Sequence, residues 1–231
     1  HESLTGLIGS GGSGVKLKDG TLVFPLEGTK KDNGKDGKTV SLIIYSSKDV
    51  TSWTLSKGMS DDGCGVPSVV EWKDKKLMMM TACDDGRRRV YESGDKGESW
   101  TEALGTLSRV WGNNHKGNEK RVGSGFITAN IGDGVEDDNK RNVMLVTLPV
   151  YSKKEKGEKE KGVLHLWLTD NTHIVDIGPV SGEAEDVAAS SLLYKSAKSG
   201  DQGNNKEELI HCTRRRRAMR RHHHTLWSLC V

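Results

Sequence analysis

Only two phenylalanines and four prolines occur among the 231 residues, aromatic residues of all kinds make up 5%, and the hydrophobic share is 33%. Helical periodicity is nearly absent, and no apolar run approaches the roughly 18 residues that a membrane-spanning helix needs. No basic-then-apolar stretch of secretory type stands at the N-terminus, and no Asn-x-Ser/Thr acceptor occurs, so N-glycosylation gives no argument for a surface location. The four cysteines, Cys64, Cys83, Cys212 and Cys230, lack any Cys-x-x-Cys spacing, which speaks against zinc and against thioredoxin-like redox chemistry. Cys64 and Cys83 fit either a bridge formed in an oxidising compartment or two small core residues, and both readings stay open.

Acidic residues are missing from one stretch alone. The last 21 residues, from His211, hold six arginines and no Asp or Glu, so the first 210 carry a net charge of −3 although the whole chain sums to +3. The body therefore offers no basic face for nucleic acid. The tail, His211-Cys212-Thr213-Arg214-Arg215-Arg216-Arg217 onward to His222-His223-His224, is too polar to offset its own ordering entropy. A domain boundary is accordingly expected at residue 210, with 211–231 disordered or the product of a frameshift.

What is present is glycine, 28 residues of it, between short β-prone runs. Strands are expected over Thr21–Leu26, Val40–Tyr45, Ser68–Trp72, Leu77–Thr81, Arg88–Glu92, Gly125–Ala129, Val143–Thr147, Val163–Leu168, Ile174–Ile177 and Ser191–Tyr194. Three polar stretches, Gly112–Arg121, Lys153–Gly162 and Lys195–Glu208, read as loops. Strand follows strand without βαβ alternation, which points to an all-β fold. Within these strands Met78-Met79-Met80 reads as core, and His165 as an outward or hydrogen-bonded side chain. If Arg87-Arg88-Arg89 alternates on a strand, one arginine turns inward, and Arg88 is the candidate for a residual anion contact.

One turn has a mechanism written into it. In Ser93-Gly94-Asp95-Lys96-Gly97-Glu98-Ser99-Trp100, Asp95 can bond the backbone that follows it, Gly97 can supply a positive φ, and Trp100 can plug a seam between strands. This is a complete Asp-box, Ser-x-Asp-x-Gly-x-Ser/Thr-Trp, the turn of sialidase-type β-propellers. An eroded copy, with Ser46, Ser52 and Trp53 in the frame and Lys48 and Val50 at the Asp and Gly positions, lies 47 residues earlier, which is the length of one four-stranded blade.

From Gly63-Cys64 through Trp111-Gly112 the chain resembles the trypanosome trans-sialidase superfamily, through Arg87-Arg88-Arg89-Val90-Tyr91-Glu92-Ser93 and Gly105-Thr106-Leu107-Ser108-Arg109-Val110-Trp111-Gly112. The likeness extends to Asp19-Gly20-Thr21-Leu22-Val23 and to Leu166-Trp167-Leu168-Thr169-Asp170-Asn171. It implies a six-bladed propeller of antiparallel four-stranded blades, of which residues 1–210 would form about three. It further implies a sialic acid site made of an arginine triad, an Asp acid/base, and a Tyr nucleophile activated by a Glu, an exception among glycosidases. No cofactor or metal is implied.

The family pattern then exposes departures. Gly63-Cys64-Gly65-Val66-Pro67 puts Val66 where the activating Glu stands, Thr81-Ala82 puts Ala82 at the second triad arginine, and the third falls near Lys161, a point charge without a bidentate fork. Ala189-Ser190-Ser191-Leu192-Leu193-Tyr194 puts Ala189 at the nucleophile; Tyr194 lies five residues further on and reads as core. The Asp, the first arginine and the first Asp-box are expected to precede residue 1. These losses imply a non-catalytic, sialidase-like surface protein that contacts sialylated or other host glycoconjugates or host surface proteins. The competing reading is a sialidase or trans-sialidase whose remaining catalytic residues lie outside this stretch.

Overall fold

The structure, a computed structural model, describes residues 4–31, 37–111, 121–131, 141–151, 161–182, 185–195 and 208–215. Fifteen strands are described: β1 (Leu4–Gly9), β2 (Val15–Lys16), β3 (Leu22–Lys30), β4 (Thr39–Ser46), β5 (Trp53–Leu55), β6 (Cys64–Glu71), β7 (Leu77–Cys83), β8 (Arg88–Ser93), β9 (Thr101–Glu102), β10 (Gly125–Ile131), β11 (Arg141–Tyr151), β12 (Gly162–Thr169), β13 (Ile174–Pro179), β14 (Val187–Lys195) and β15 (Glu208–Arg215). Every strand expected from sequence falls on one of them, and a 3₁₀ turn at Lys73–Lys75 joins β6 to β7. The loops expected at Gly112–Arg121, Lys153–Gly162 and Lys195–Glu208 lie almost wholly outside the described residues.

All pairings are antiparallel and mostly sequential, as a meander requires. The first sheet runs β1-β3-β4-β5 with β2 on β3, the second β6-β7-β8-β9, the third β10-β11-β12-β13, and β14-β15 form a two-stranded fourth. β3 packs against β6, β6 against β10, and β10 against β14. Successive sheets are thus stacked side by side through β3, β6, β10 and β14, the arrangement of propeller blades.

This stacking explains why β7 shows no alternation. All seven of its residues are buried, because each face of the second sheet has a neighbour. Leu77 and Met79 join Leu17, Val23, Ile43, Val69 and Tyr91 in the seam with the first sheet. Met78 and Met80 join Val70, Trp72, Val90, Phe126, Met144 and Val146 in the seam with the third. A third apolar cluster, Ala129, Val143, Leu145 and Leu192 with Tyr194 beside it, lies between the third sheet and β14.

Cys64 and Cys83 are register partners on β6 and β7 and are joined by a disulfide, which resolves the two readings in favour of the bridge. The boundary expected at residue 210 falls within β15. β15 continues through His211 to Arg215 and pairs with β14 from Lys195↔Glu208 to Val187↔Arg215. Main-chain hydrogen bonding is indifferent to the side chains that composition counts, and charged residues are commonplace on strands at a sheet edge. Residues 216–231 lie outside the described set.

Candidate functional site

The Asp-box folds as a closed net of side-chain-to-backbone bonds. Ser93 Oγ donates to Asp95 Oδ1 (2.8 Å) and accepts from Gly97 N (2.8 Å). Asp95 accepts from Ser99 N (3.0 Å) and Ser99 Oγ (2.6 Å). Lys96 and Gly97 both have positive φ, 57° and 82°, and Gly97 carries the tighter constraint, because a Cβ there would meet Ile43 Cδ1 and Ser56 Cβ at 2.9 Å. Those two residues belong to the first sheet and the segment after it. Gly58 N donates to Gly97 O (2.9 Å), and Lys96 Nζ reaches Asp19 (3.0 Å) and Thr21 (3.1 Å). The turn therefore docks one sheet on the previous one as well as closing its own hairpin, a role the motif alone does not reveal. Trp100 packs on the same seam.

The eroded copy keeps the strand pairing, with Ser46 opposite Trp53, but its hydrogen bonds do not follow the expected frame. Ser46 Oγ instead accepts from Leu22 N (2.9 Å). Ser47 donates to Asp49, Asp49 accepts from Thr51 N (3.3 Å), and Ser47 Oγ accepts from Ser52 N (3.1 Å). The acidic acceptor has moved one residue on, from the position held by Lys48 to Asp49. The left-handed residue is Val50, φ 58°, as Lys96 is in the intact turn. Trp53 is exposed and packs against Phe24 with the rings tilted, their centres 5.7 Å apart.

Two carboxylates on β9 and in the Asp-box are held low. Hydrogen bonds from Ser99, then from Ser93, keep Asp95 at about 2. The Arg109 guanidinium, bonding Glu102 through Nε (2.7 Å) and Nη2 (2.8 Å), keeps Glu102 at about 2 as well. Because both folded values lie below the unfolded ones, their stabilisation is present above about pH 4 and disappears as pH falls toward 2. The unfolding midpoint is expected to drop steeply through that window, and D95N/E102Q to flatten the drop; equal slopes in thermal melts at pH 2–6 would contradict the assignment.

The positions that the family resemblance marked as departures lie on β6 (Val66), β7 (Ala82), β14 (Ala189) and just before β12 (Lys161). Val66 sits in the bulge of β6 between Gly65 and Ser68, at φ 51°, a left-handed conformation that a β-branched residue rarely adopts. Its N–H donates to Glu27 Oε2 on β3 (2.7 Å), so a carboxylate that sequence reading did not single out lies against this position. Ala82 is buried on β7, paired with Gly65 on one side and Arg88 on the other. Ala189 is half-buried on β14, and Lys161 is exposed just before β12.

One short segment, Val122–Gly123, meets Val66, Arg88 and Ser190. Gly123 lies beside Val66, a Cβ there falling 3.6 Å from Val66 Cγ1. Gly123 O accepts from Ser190 N (3.0 Å), next to Ala189, and Val122 O accepts from Arg88 Nη1 (2.7 Å). Gly162, adjacent to Lys161, packs against Val187 O, where a Cβ would come within 2.3 Å. None of Val66, Ala82 and Ala189 can transfer a proton, attack an anomeric carbon or pair a carboxylate. Tyr194 instead donates its hydroxyl to Asn130 O (2.9 Å) and packs on the β10–β14 cluster. His165 Nδ1 lies 2.9 Å from Asp176. Among the described residues no three His, Cys, Asp or Glu side chains gather to hold a metal, and no helix is long and apolar enough to cross a membrane.

Comparison with known proteins places this geometry. The family model described as a BNR repeat-like domain matches residues 1–212. A sialidase of Trypanosoma cruzi is 39% identical over 191 residues, covering 83% of this chain and 15% of the relative. Sialidase 85-1.1 of the same organism is 41% identical over 195 residues, covering 83% and 24%. Trypanosoma rangeli sialidase, solved also in complex with sialic acid, superposes with a TM-score of 0.70 at 34% identity, over 91% of this chain and 30% of that one. The chain thus spans less than a third of the length of each of these proteins.

Proposed function

The chain belongs to the BNR-repeat sialidase family, and from that premise we propose that it is a non-catalytic member, contacting sialylated glycoconjugates or proteins of a host at the cell surface without cleaving them. The observation that carries this reading is the hydrocarbon side chains at Val66, Ala82 and Ala189, with Val66 beside Gly123, whose carbonyl accepts from the Ser190 N–H next to Ala189. At the positions that the family resemblance assigns to proton transfer, nucleophilic attack and carboxylate pairing, this chain carries hydrocarbon side chains. Sialoside cleavage through a tyrosyl intermediate needs the phenol and its activating carboxylate together, and removing one member of a cooperating set costs orders of magnitude in rate. Valine and alanine offer nothing to protonate or to attack.

The disulfide between Cys64 and Cys83 agrees with a surface location, since such bridges persist in oxidising compartments. The purified chain is expected not to hydrolyse a fluorogenic sialoside above background, and not to move sialic acid to a galactoside acceptor. Turnover by sequence-verified protein would overturn the reading and favour a sialidase or trans-sialidase with catalytic groups elsewhere. Retention on a sialylated glycan surface, lost after the glycans are desialylated, is the expected binding result.

A further inference from the structure

The two faces of the first sheet meet different surroundings. Strand register puts Phe24, Leu26, Leu42, Ile44, Trp53 and Leu55 on one face. The other face, through Val23 and Ile43, is packed on the second sheet. Over residues 22–28, 40–46 and Trp53–Leu55, the side chains that alternation places on the first of these faces include no Asp, Glu, Lys or Arg. Leu7 of β1 joins them, its Cδ2 lying 3.1 Å from where a Cβ on Gly28 would stand. Yet Leu7, Phe24 and Trp53 are 46%, 42% and 45% exposed. An antiparallel sheet face that meets water is ordinarily polar, and a continuous apolar patch on a folded chain marks a contact surface.

The fold itself shows how such a face is used. In the intact Asp-box, Trp100 packs into the seam between the first two sheets, so close to Gly58 that a Cβ there would come within 2.9 Å of its ring. The tryptophan of that repeat docks its sheet on the one before. Trp53 stands 47 residues before Trp100 in the eroded copy of the same turn, on the face turned away from the second sheet and beside Phe24. It holds the docking position while remaining half in solvent.

Charge and size say what covers it. A contact about a two-fold axis sets a surface against itself, so a charged patch would be repelled by its own copy, and the strand residues of this face carry no charge. The four strands β1, β3, β4 and β5, about 4.8 Å apart with a rise of about 3.3 Å per residue, span roughly 400 Å² in projection. With the relief of the side chains counted, a pair of such faces buries on the order of 1,000 Å², which suits a dimer that forms and dissociates rather than a permanent one. Two sheets stacked face to face about 10 Å apart are the layers of a β-sandwich.

We propose that this face of the first sheet is a self-docking surface, through which two copies of the chain associate face to face about a two-fold axis with Phe24 and Trp53 at the contact.

Sedimentation equilibrium of the full chain from low to high micromolar concentration tests this, together with hydroxyl-radical footprinting at both ends of that range. The mass is expected to rise from 25.3 kDa toward twice that value and to stop there. Labelling of Phe24 and Trp53 should fall several-fold over the same range, while that of Val175 and Leu193, exposed on other sheets, should not. W53E sets like charges against each other and should leave a folded monomer, whereas L193E on β14 should dimerise as the unaltered chain does. Footprinting of the unaltered chain covers the case in which a variant misfolds. A mass of 25.3 kDa throughout would overturn the proposal and leave the face to a different partner. Growth past two copies, or loss of association in L193E, would overturn it in favour of a head-to-tail contact, and undiminished dimerisation of folded W53E would place the contact elsewhere.

Discussion

Replacing Cys64 and Cys83 together by alanine is expected to lower folding stability by about 3 kcal/mol, the loop-closure contribution of a bridge between residues this far apart in sequence. The bridged positions are 19 residues apart and enclose the β6–β7 hairpin, whose second strand is buried along its whole length. Opening the loop frees the chain segment that fills both neighbouring seams. In a domain of this size about 3 kcal/mol corresponds to a fall of roughly 6–12 °C in the unfolding midpoint. Treatment of the unaltered chain with reductant should give a similar fall. Melts that coincide with and without the bridge would show that the hairpin is held by packing alone.

The second large effect is expected at Gly97. Substitution by valine places a β-branched residue at φ 82° and drives its Cβ toward Ile43 and Ser56 at 2.9–3.0 Å. Left-handed strain and overpacking each cost about 1–3 kcal/mol, and the clash also strikes the seam between the first two sheets. Gly94 supplies the control within the same turn. It is exposed, and a Cβ there meets nothing within 4 Å, so G94V should change the midpoint by little. If G97V and G94V melt alike, the turn closes its own hairpin and does not dock the sheets.

Much of this architecture was readable because its causes are local. Asp95, Gly97 and Ser99 lie within five residues of one another, so the turn they build depends on spacing alone. The strands around Ile43, Met79 and Leu145 were visible as short apolar runs between glycines. Other features depend on a distant partner. The eroded turn was framed on Ser46 and Ser52, whereas Ser46 bonds Leu22 across the sheet and leaves the turn to Ser47 and Asp49. The tail was judged by its arginines, yet β15 through Arg215 is formed by backbone pairing with β14. Glu27 escaped notice because nothing near it in the chain foretells that it reaches the N–H of Val66, 39 residues away.

The amino-acid sequence by itself determined the all-β class, the Asp-box, the family likeness and the identity of the residues at Val66, Ala82 and Ala189. Each follows from residue types and their spacing. Only the tertiary structure decided that Cys64 and Cys83 are bridged, that the Asp-box turn docks neighbouring sheets, and that the Arg88 guanidinium reaches Val122 O in the segment before β10. These depend on register and on the stacking of whole sheets. A one-residue slip in pairing reverses the face a side chain occupies, so the direction in which Arg88 points is settled only when β7, β8 and the segment before β10 have come together.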